Sequence, residues 1–232
     1  PSRSRDYHTW KNELEPHECV DGVSVHRFRS LRRGWLAWQI LAWSQRRYWR
    51  TRSRFYQPFV LAGGGPLCPG MLGALLARLH AYDLVHLNSL VYSQSAYAYR
   101  AARWRGVPCV ITPHVEIGQR ITYGLDYQLR ILMGCEHVLA DTEGERAFLI
   151  GLGVRPWRVT MAGCGLRPEA YPPRDRGGCR QRLGLPPDAF VLLFMGRQVQ
   201  YKGIETVLQA FSILKRRHPS LYLLVAGPET AY

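Results

Sequence analysis

Apolar positions along this chain switch between two periods. Short β-type runs fall at residues 23–28, 84–87, 107–112, 137–140 and 158–161, with strongly apolar runs at 190–195 and 221–226. Helical spacing fills the intervals, at 70–80, 95–104, 127–133, 143–152 and 203–217. Pro69 stands near the first position of the first of these helices, and Gly106 ends the second. Strands alternating with helices of ~10–15 residues predict an α/β chain with parallel sheets and helices on both faces. Between 167 and 187 the texture changes: Pro168, Pro172, Pro173, Gly177, Gly178, Pro186 and Pro187 cluster with Arg and Asp, as in a linker. This predicts two Rossmann-like, doubly wound units, over 1–172 and 188–232, joined by 173–187.

Composition sharpens that picture. With 232 residues and 47% apolar content, the chain can bury a sizeable core. No apolar run approaches the ~18 residues of a membrane span. Pro1 opens the chain and Ala231-Tyr232 close it directly after an apolar run, so both ends read as cut. The six cysteines show neither a C-x-x-C pair nor metal-ligand spacing with a histidine, which fits a reduced, cytoplasmic setting best, while their even count leaves disulfides open. Net charge is +14, unevenly spread: residues 22–82 contain ten arginines and no Asp or Glu. Such a stretch needs solvent or a polyanionic neighbour, whether phosphorylated substrate, anionic lipid or nucleic acid.

Within that stretch, residues 36–43 are apolar all round, which predicts burial. Over 45–56 the faces separate, with Arg46, Arg47, Arg50 and Arg54 on one side and Tyr48, Trp49 and Phe55 nearer the other. A basic helix with aromatics can lie on an anionic membrane; the structural alternative is a solvated helix packed on the domain.

Ligands of open α/β sheets bind beyond the carboxyl ends of strands. The segment from Gly196 to Gly203, GRQVQYKG, occupies such a place between strand and helix. Arg197 can form paired charged hydrogen bonds, Lys202 adds a point charge, and Gly196 and Gly203 permit a tight path, a combination suited to a diphosphate. His86 and His114 also stand at strand ends. Thr142-x-x-Glu145 reads as a capping box. Gly63-Gly64-Gly65-Pro66 lacks the Lys and Ser/Thr of a P-loop.

The run from Phe190 through Gly196-Arg197, Lys202-Gly203 and Ala210-Phe211 resembles the opening of the donor domain of glycosyltransferase family 4, with its G-R-x(4)-K-G turn. Asp83-Leu-Val-His86, Pro108 to His114, Ala140 to Val154 and Met161 to Gly165 resemble upstream segments of that family in the same order, although Asn and Asp are missing from the last. The resemblance implies a GT-B fold of two Rossmann-like domains and a retaining transfer of sugar from a nucleotide-diphosphate sugar to a glycan or lipid-linked acceptor. It implies that Arg197 and Lys202 hold the donor diphosphate, that His114 lies near the transferred sugar as the catalytic residue, and that His86 and Gly163 line the site. It implies no metal, and cell-envelope glycan synthesis at the inner face of a membrane. The family's glycine-rich loop and paired glutamates would fall before Pro1 and after Tyr232, so the chain alone is expected to be inactive. A different reading is a non-catalytic basic module on membrane or nucleic acid, but no nucleic-acid motif appears.

Overall fold

A computed structural model describes residues 11–31, 34–63, 65–117 and 123–227, the side chains of 35–37 excepted. Arg32, Arg33, Gly64, Ala231 and Tyr232, with the side chains of Trp35 and Leu36, lie outside the described residues. The chain divides into two compact units, Pro1–Gly165 and Leu166–Tyr232.

The first unit opens with a hairpin. Strands β1 (His17–Val20) and β2 (Val23–His26) pair antiparallel about Asp21-Gly22. Both turn residues have positive φ, 49° and 80°, as a two-residue primed turn requires. The main sheet follows: β3 (Val85–Asn88), β4 (Cys109–Thr112), β5 (His137–Ala140) and β6 (Val159–Met161), parallel and in sequential order. The helices are α1 (Trp35–Thr51), α2 (Gln57–Gly63), α3 (Pro69–Arg78), α4 (Ser93–Arg105), α5 (Asp126–Gly134) and α6 (Glu143–Gly151).

Sequential order with right-handed crossovers sends α4, α5 and α6 to one face of the sheet. Burial agrees. Leu87, Cys109, Ile111, Val138 and Ala140 alternate onto that face and form one core cluster with Ala101, Ile131, Leu132 and Leu149. The opposite face carries His86, Asn88, Thr112, His137 and Thr160, none of them buried. There His86 Nε2 meets Thr112 Oγ1 at 2.9 Å and His137 Nε2 meets Thr160 Oγ1 at 2.8 Å.

Helix α1 departs from the all-round burial expected for residues 36–43. It buries one stripe, Leu41, Ser44 and Tyr48, at helical spacing, and leaves Trp38, Ile40, Trp43 and Trp49 exposed. It ends at Arg52, in the left-handed region with φ 56°. Arg54 therefore lies beyond the cap, off the helix that bears Arg46, Arg47 and Arg50.

The second unit contains α7 (Arg176–Arg182), β7 (Phe190–Met195), α8 (Ile204–Arg217) and β8 (Leu221–Ala226). Strands β7 and β8 pair in parallel over six residues. Helix α7 falls inside the 173–187 segment that composition marks as a linker. It forms because Asp175 caps it, accepting from the N–H groups of Gly177 (3.2 Å) and Gly178 (2.6 Å). Arg180 then ties it to the start of β7 through the carbonyls of Pro186 and Ala189, at 3.0 and 2.8 Å.

Candidate active site

In the first unit, three residues from three strand ends converge. Asn88 closes β3, His114 follows β4 and Asp141 follows β5. His114 Nδ1 lies 2.5 Å from Asp141 Oδ2, and His114 Nε2 lies 2.8 Å from Asn88 Oδ1. The parallel register explains the meeting, since it aligns the ends of adjacent strands at one edge. Asp141 orients the imidazole, while Asn88, whose amide can present either oxygen or N–H₂, sits where a ligand hydroxyl could replace it. Cys164 Sγ lies 3.7 Å from the other Asp141 oxygen.

His114 has a φ of 52°, uncommon outside glycine, and that conformation has to be held. Glu145, 2% exposed, holds it. One carboxylate oxygen accepts from the N–H of Val115 at 2.6 Å and the other from the N–H of Asp141 at 2.7 Å. Thr142 Oγ1 caps the helix by accepting from Glu145 N–H at 3.1 Å, as the capping-box reading expects. The reciprocal arm differs, for Glu145 reaches past the cap residue and staples together the two loops that carry His114 and Asp141. Tyr123 donates its hydroxyl to the His114 carbonyl at 3.4 Å, and burial pushes that phenol up from its ordinary range.

Of the residues singled out from sequence, His114 stands at the centre of this cluster. Gly163, with φ 68°, donates its N–H to the Ala140 carbonyl at 3.3 Å and leads into Cys164 beside Asp141. His86 bonds to Thr112 instead, two residues before Asn88 on the open face of the sheet. Asn88, Asp141 and Glu145 escaped the sequence reading as site residues. The rule that strand ends carry ligands applies to Asn88 and Asp141 as much as to His114.

The second unit places the other candidates in one loop. After β7, Gly196 (φ 155°) leads through a short turn at Gln200–Lys202 to Gly203 (φ 79°), which opens α8. The Arg197 guanidinium donates to the Tyr201 hydroxyl and lies 5.4 Å from that ring's centroid, with Lys202 Nζ 5.3 Å from the same centroid. Tyr201 thus gathers two cations on one exposed ring. No side chain caps the N-terminus of α8, whose free N–H groups add to the local positive potential. Gly227 must be glycine, because a Cβ there would stand 1.9 Å from the Gly196 carbonyl oxygen.

The arginines of the α1 region have separate fates. Arg54 pairs with Asp126 at 2.8 Å, Arg47 lies over Trp43 at 5.6 Å, and Arg52 lies over Tyr48 at 6.0 Å. Arg46, Arg50 and Trp49 are exposed. Among the described residues no helix is long and apolar enough to cross a membrane, and no group of three or more His, Cys, Asp or Glu side chains could hold a metal ion.

A family profile described as "Glycosyl transferase 4-like domain" matches residues 5–165, and one described as "Glycosyl transferases group 1" matches residues 176–232. The chain belongs to the glycosyl transferase 4-like family. D-inositol 3-phosphate glycosyltransferase of Actinosynnema mirum is 30% identical to this family member over 71% of this chain and 44% of its own length. The Frankia alni protein of the same name is 33% identical over 60% of this chain and 37% of its own length. The chain therefore spans less than half the length of these curated relatives. Among solved structures, Anabaena HepE in complex with UDP and glucose superposes with a TM-score of 0.55 at 18% identity, over 68% of this chain and 43% of that one. HepE in complex with UDP-glucose gives 0.51 at 15% identity, over 85% and 67%. These likenesses establish the GT-B fold for this family 4 chain.

Proposed function

We propose that the protein containing this chain transfers a sugar from a nucleotide-diphosphate sugar to an acceptor hydroxyl on a glycan or lipid-linked acceptor, with retention at the anomeric carbon. The observation that carries this reading is the pair Arg197 and Lys202 on one Tyr201 ring at the uncapped start of α8. In the reaction the acceptor oxygen bonds to the anomeric carbon, and the bond from that carbon to the diphosphate oxygen breaks. The diphosphate leaves with the electron pair, and the acceptor proton passes to it. Arg197, Lys202 and the first N–H groups of α8 would meet the developing charge. The reading therefore expects no metal requirement.

His114 would hydrogen-bond the transferred sugar through Nε2, taking a sugar hydroxyl in place of Asn88 while Asp141 keeps the ring oriented. The names of the curated relatives supply the transferase class, and the HepE complexes are those of a protein of this fold with UDP-glucose.

The test is diphosphate release by the full-length protein from a panel of UDP-, GDP- and ADP-sugars, with and without EDTA, and with lipid-linked, glycan and inositol phosphate acceptors. Release from one donor that survives chelation supports the reading. Silence across the panel with every acceptor would overturn it.

One observation favours an accompanying membrane contact. Trp38, Trp43 and Trp49 are exposed on the same helix as Arg46 and Arg50, a composition suited to an anionic bilayer surface. Of the other arginines in that stretch, Arg54 pairs with Asp126 and Arg47 lies over Trp43. Equal co-sedimentation with anionic and neutral vesicles would refute the electrostatic contact.

A further inference from the structure

The hairpin that opens the first unit carries chemistry that sugar transfer does not use. His17 and His26 stand directly opposite each other on β1 and β2. The N–H of Arg27 donates to the Pro16 carbonyl, so the neighbouring 16–27 pair is the hydrogen-bonded one. The 17–26 pair is therefore of the non-hydrogen-bonded kind, in which facing side chains stand closest. His17 Nδ1 lies 2.8 Å from His26 Nδ1, with the ring centroids 4.8 Å apart and the planes at 80°. Both residues are exposed. Among the described residues, each imidazole has only the other as hydrogen-bond or ring partner. Side chains alternate across a strand, so Glu18 and Arg27 lie on the other face of the hairpin, where they pair with each other.

Two imidazoles so placed form a chelate. Metal–imidazole bonds are ~2.0–2.1 Å long, so two nitrogens in cis positions of a square-planar or octahedral ion stand about 2.9 Å apart, and on a tetrahedral ion about 3.4 Å. The 2.8 Å between the Nδ1 atoms matches the cis spacing. At that distance one ring donates from Nδ1 and the other accepts. Moving the donor's proton to its own Nε2 frees both Nδ1 lone pairs, and neutral rings release no proton in doing so. Cys19 shares this face of β1 but stands two residues on, ~6.8 Å along the strand from His17. Among the described residues no third His, Cys, Asp or Glu joins the pair, so water completes the coordination.

We propose that His17 and His26 bind a divalent transition-metal ion of the imidazole-preferring kind, such as Ni²⁺, Cu²⁺ or Zn²⁺, through their Nδ1 atoms in cis positions, and that the ion clasps β1 to β2. These strands make a two-stranded sheet of their own, an arrangement that is marginal without further support. An ion bound only while the strands are paired stabilises the pairing by mass action. The site stands apart from the transferase reading, which routes nothing through a metal. Its readout is ion binding without any donor sugar, so either reading can fail alone.

The probe is Ni²⁺, because free thiols reduce Cu²⁺. It is titrated calorimetrically into the reduced, full-length protein free of any affinity tag. One-site binding that EDTA reverses is expected, at least tenfold weaker in His17→Gln and in His26→Gln and unchanged in Cys19→Ser. Mg²⁺, which seeks oxygen ligands, should not bind there. Saturating Ni²⁺ should slow amide hydrogen exchange over residues 18–25 at least tenfold and leave the amides of β4 unchanged. Absence of binding, or full affinity in either histidine variant, would overturn the proposal. Loss of binding in Cys19→Ser would show a thiol site instead. Binding without slowed exchange in the hairpin would also overturn it, and that measurement is made on the wild-type protein, so it stands even if a variant fails to fold.

Discussion

Both units of this chain build parallel strands joined by helices, yet they end in different states. In the first, strand residues facing the helices are fully buried: Cys109, Ile111, Val138 and Ala140 are each 0% exposed. In the second, Phe190, Leu193 and Met195 of β7 are 66%, 62% and 80% exposed, and α8 buries no residue at all. The apolar pattern of β7 is as strong as that of any strand in the first unit. The difference lies in the neighbours. Four strands with three covering helices close a core, while two strands and one long helix cannot, since a sheet gains its stability from further strands and a packed face. Strand pattern alone reports what a segment is suited to bury, and the topology decides whether anything arrives to bury it.

The largest effect that would break this contrast is expected at Leu132, which is 0% exposed on α5. Leu132→Ala should cost about 2–5 kcal/mol in urea unfolding, the range for a buried leucine in a core that collapses only partly. A cost near zero would mean that the first unit is not the cooperative core described above.

Next in size is Glu145→Gln, which places an N–H₂ against one of two backbone N–H donors and should cost about 1–3 kcal/mol. Amide hydrogen exchange at Val115 and Asp141 should quicken together. Quickening at only one of them would show that the carboxylate does not staple both loops.

A smaller effect arises at the core thiols. Burial pushes Cys109 up to about 11 and Cys135 up to about 12, from an ordinary value of 9.0. With the folded value raised, the native state holds its protons after the unfolded chain has lost them. Their contribution is therefore complete below pH 9 and is lost as pH rises towards 11 and 12. The slope is at most about 1.4 kcal/mol per pH unit for each thiol. Urea midpoints between pH 8 and 10.5, compared with those of Cys135→Ala, measure it. At neutral pH a thiol reagent should label Cys19 and Cys164, both exposed, well before Cys68, Cys109 and Cys135.

The smallest effect is expected at Leu193. Leu193→Ala should change the stability of this chain by no more than about 0.5 kcal/mol, as for other exposed positions. In the full-length protein the same substitution should cost more, if added strands cover β7. An equal small value in both would show that β7 stays bare.

Much of the fold was legible because its strands are short and strongly apolar. Residues 137–140, 190–195 and 221–226 form strands with the bounds that periodicity predicts. Strand β1 was not legible: His17-Glu-Cys-Val alternates weakly, and the signal was the Asp21-Gly22 turn after it. Helix α7 was hidden by the glycines and prolines around it, although Asp175 is an ordinary cap. In α1 the dense run of tryptophans masked a narrow buried stripe, because apolar residues occupy both its buried and exposed sides.

The candidate site divides in the same way. Arg197 and Lys202 were legible because their loop is local, with both cations within six residues. Tyr201 was not, since its part is to gather the two, which needs geometry. The Asn88–His114–Asp141 cluster joins residues 26 and 27 positions apart through strand register. No spacing motif encodes that, and only His114 stood out, by family resemblance.

The central claim is that Arg197 grips a diphosphate. Calorimetric titration of UDP, GDP and ADP into the full-length protein, wild type against Arg197→Ala, tests it most directly. The account predicts saturable binding of one nucleotide, weakened by about 1.5–3 kcal/mol in the variant, the worth of hydrogen bonds to a charged group and roughly 10- to 150-fold in affinity. Equal affinity in the two proteins, each folded as judged by its unfolding transition, would contradict it.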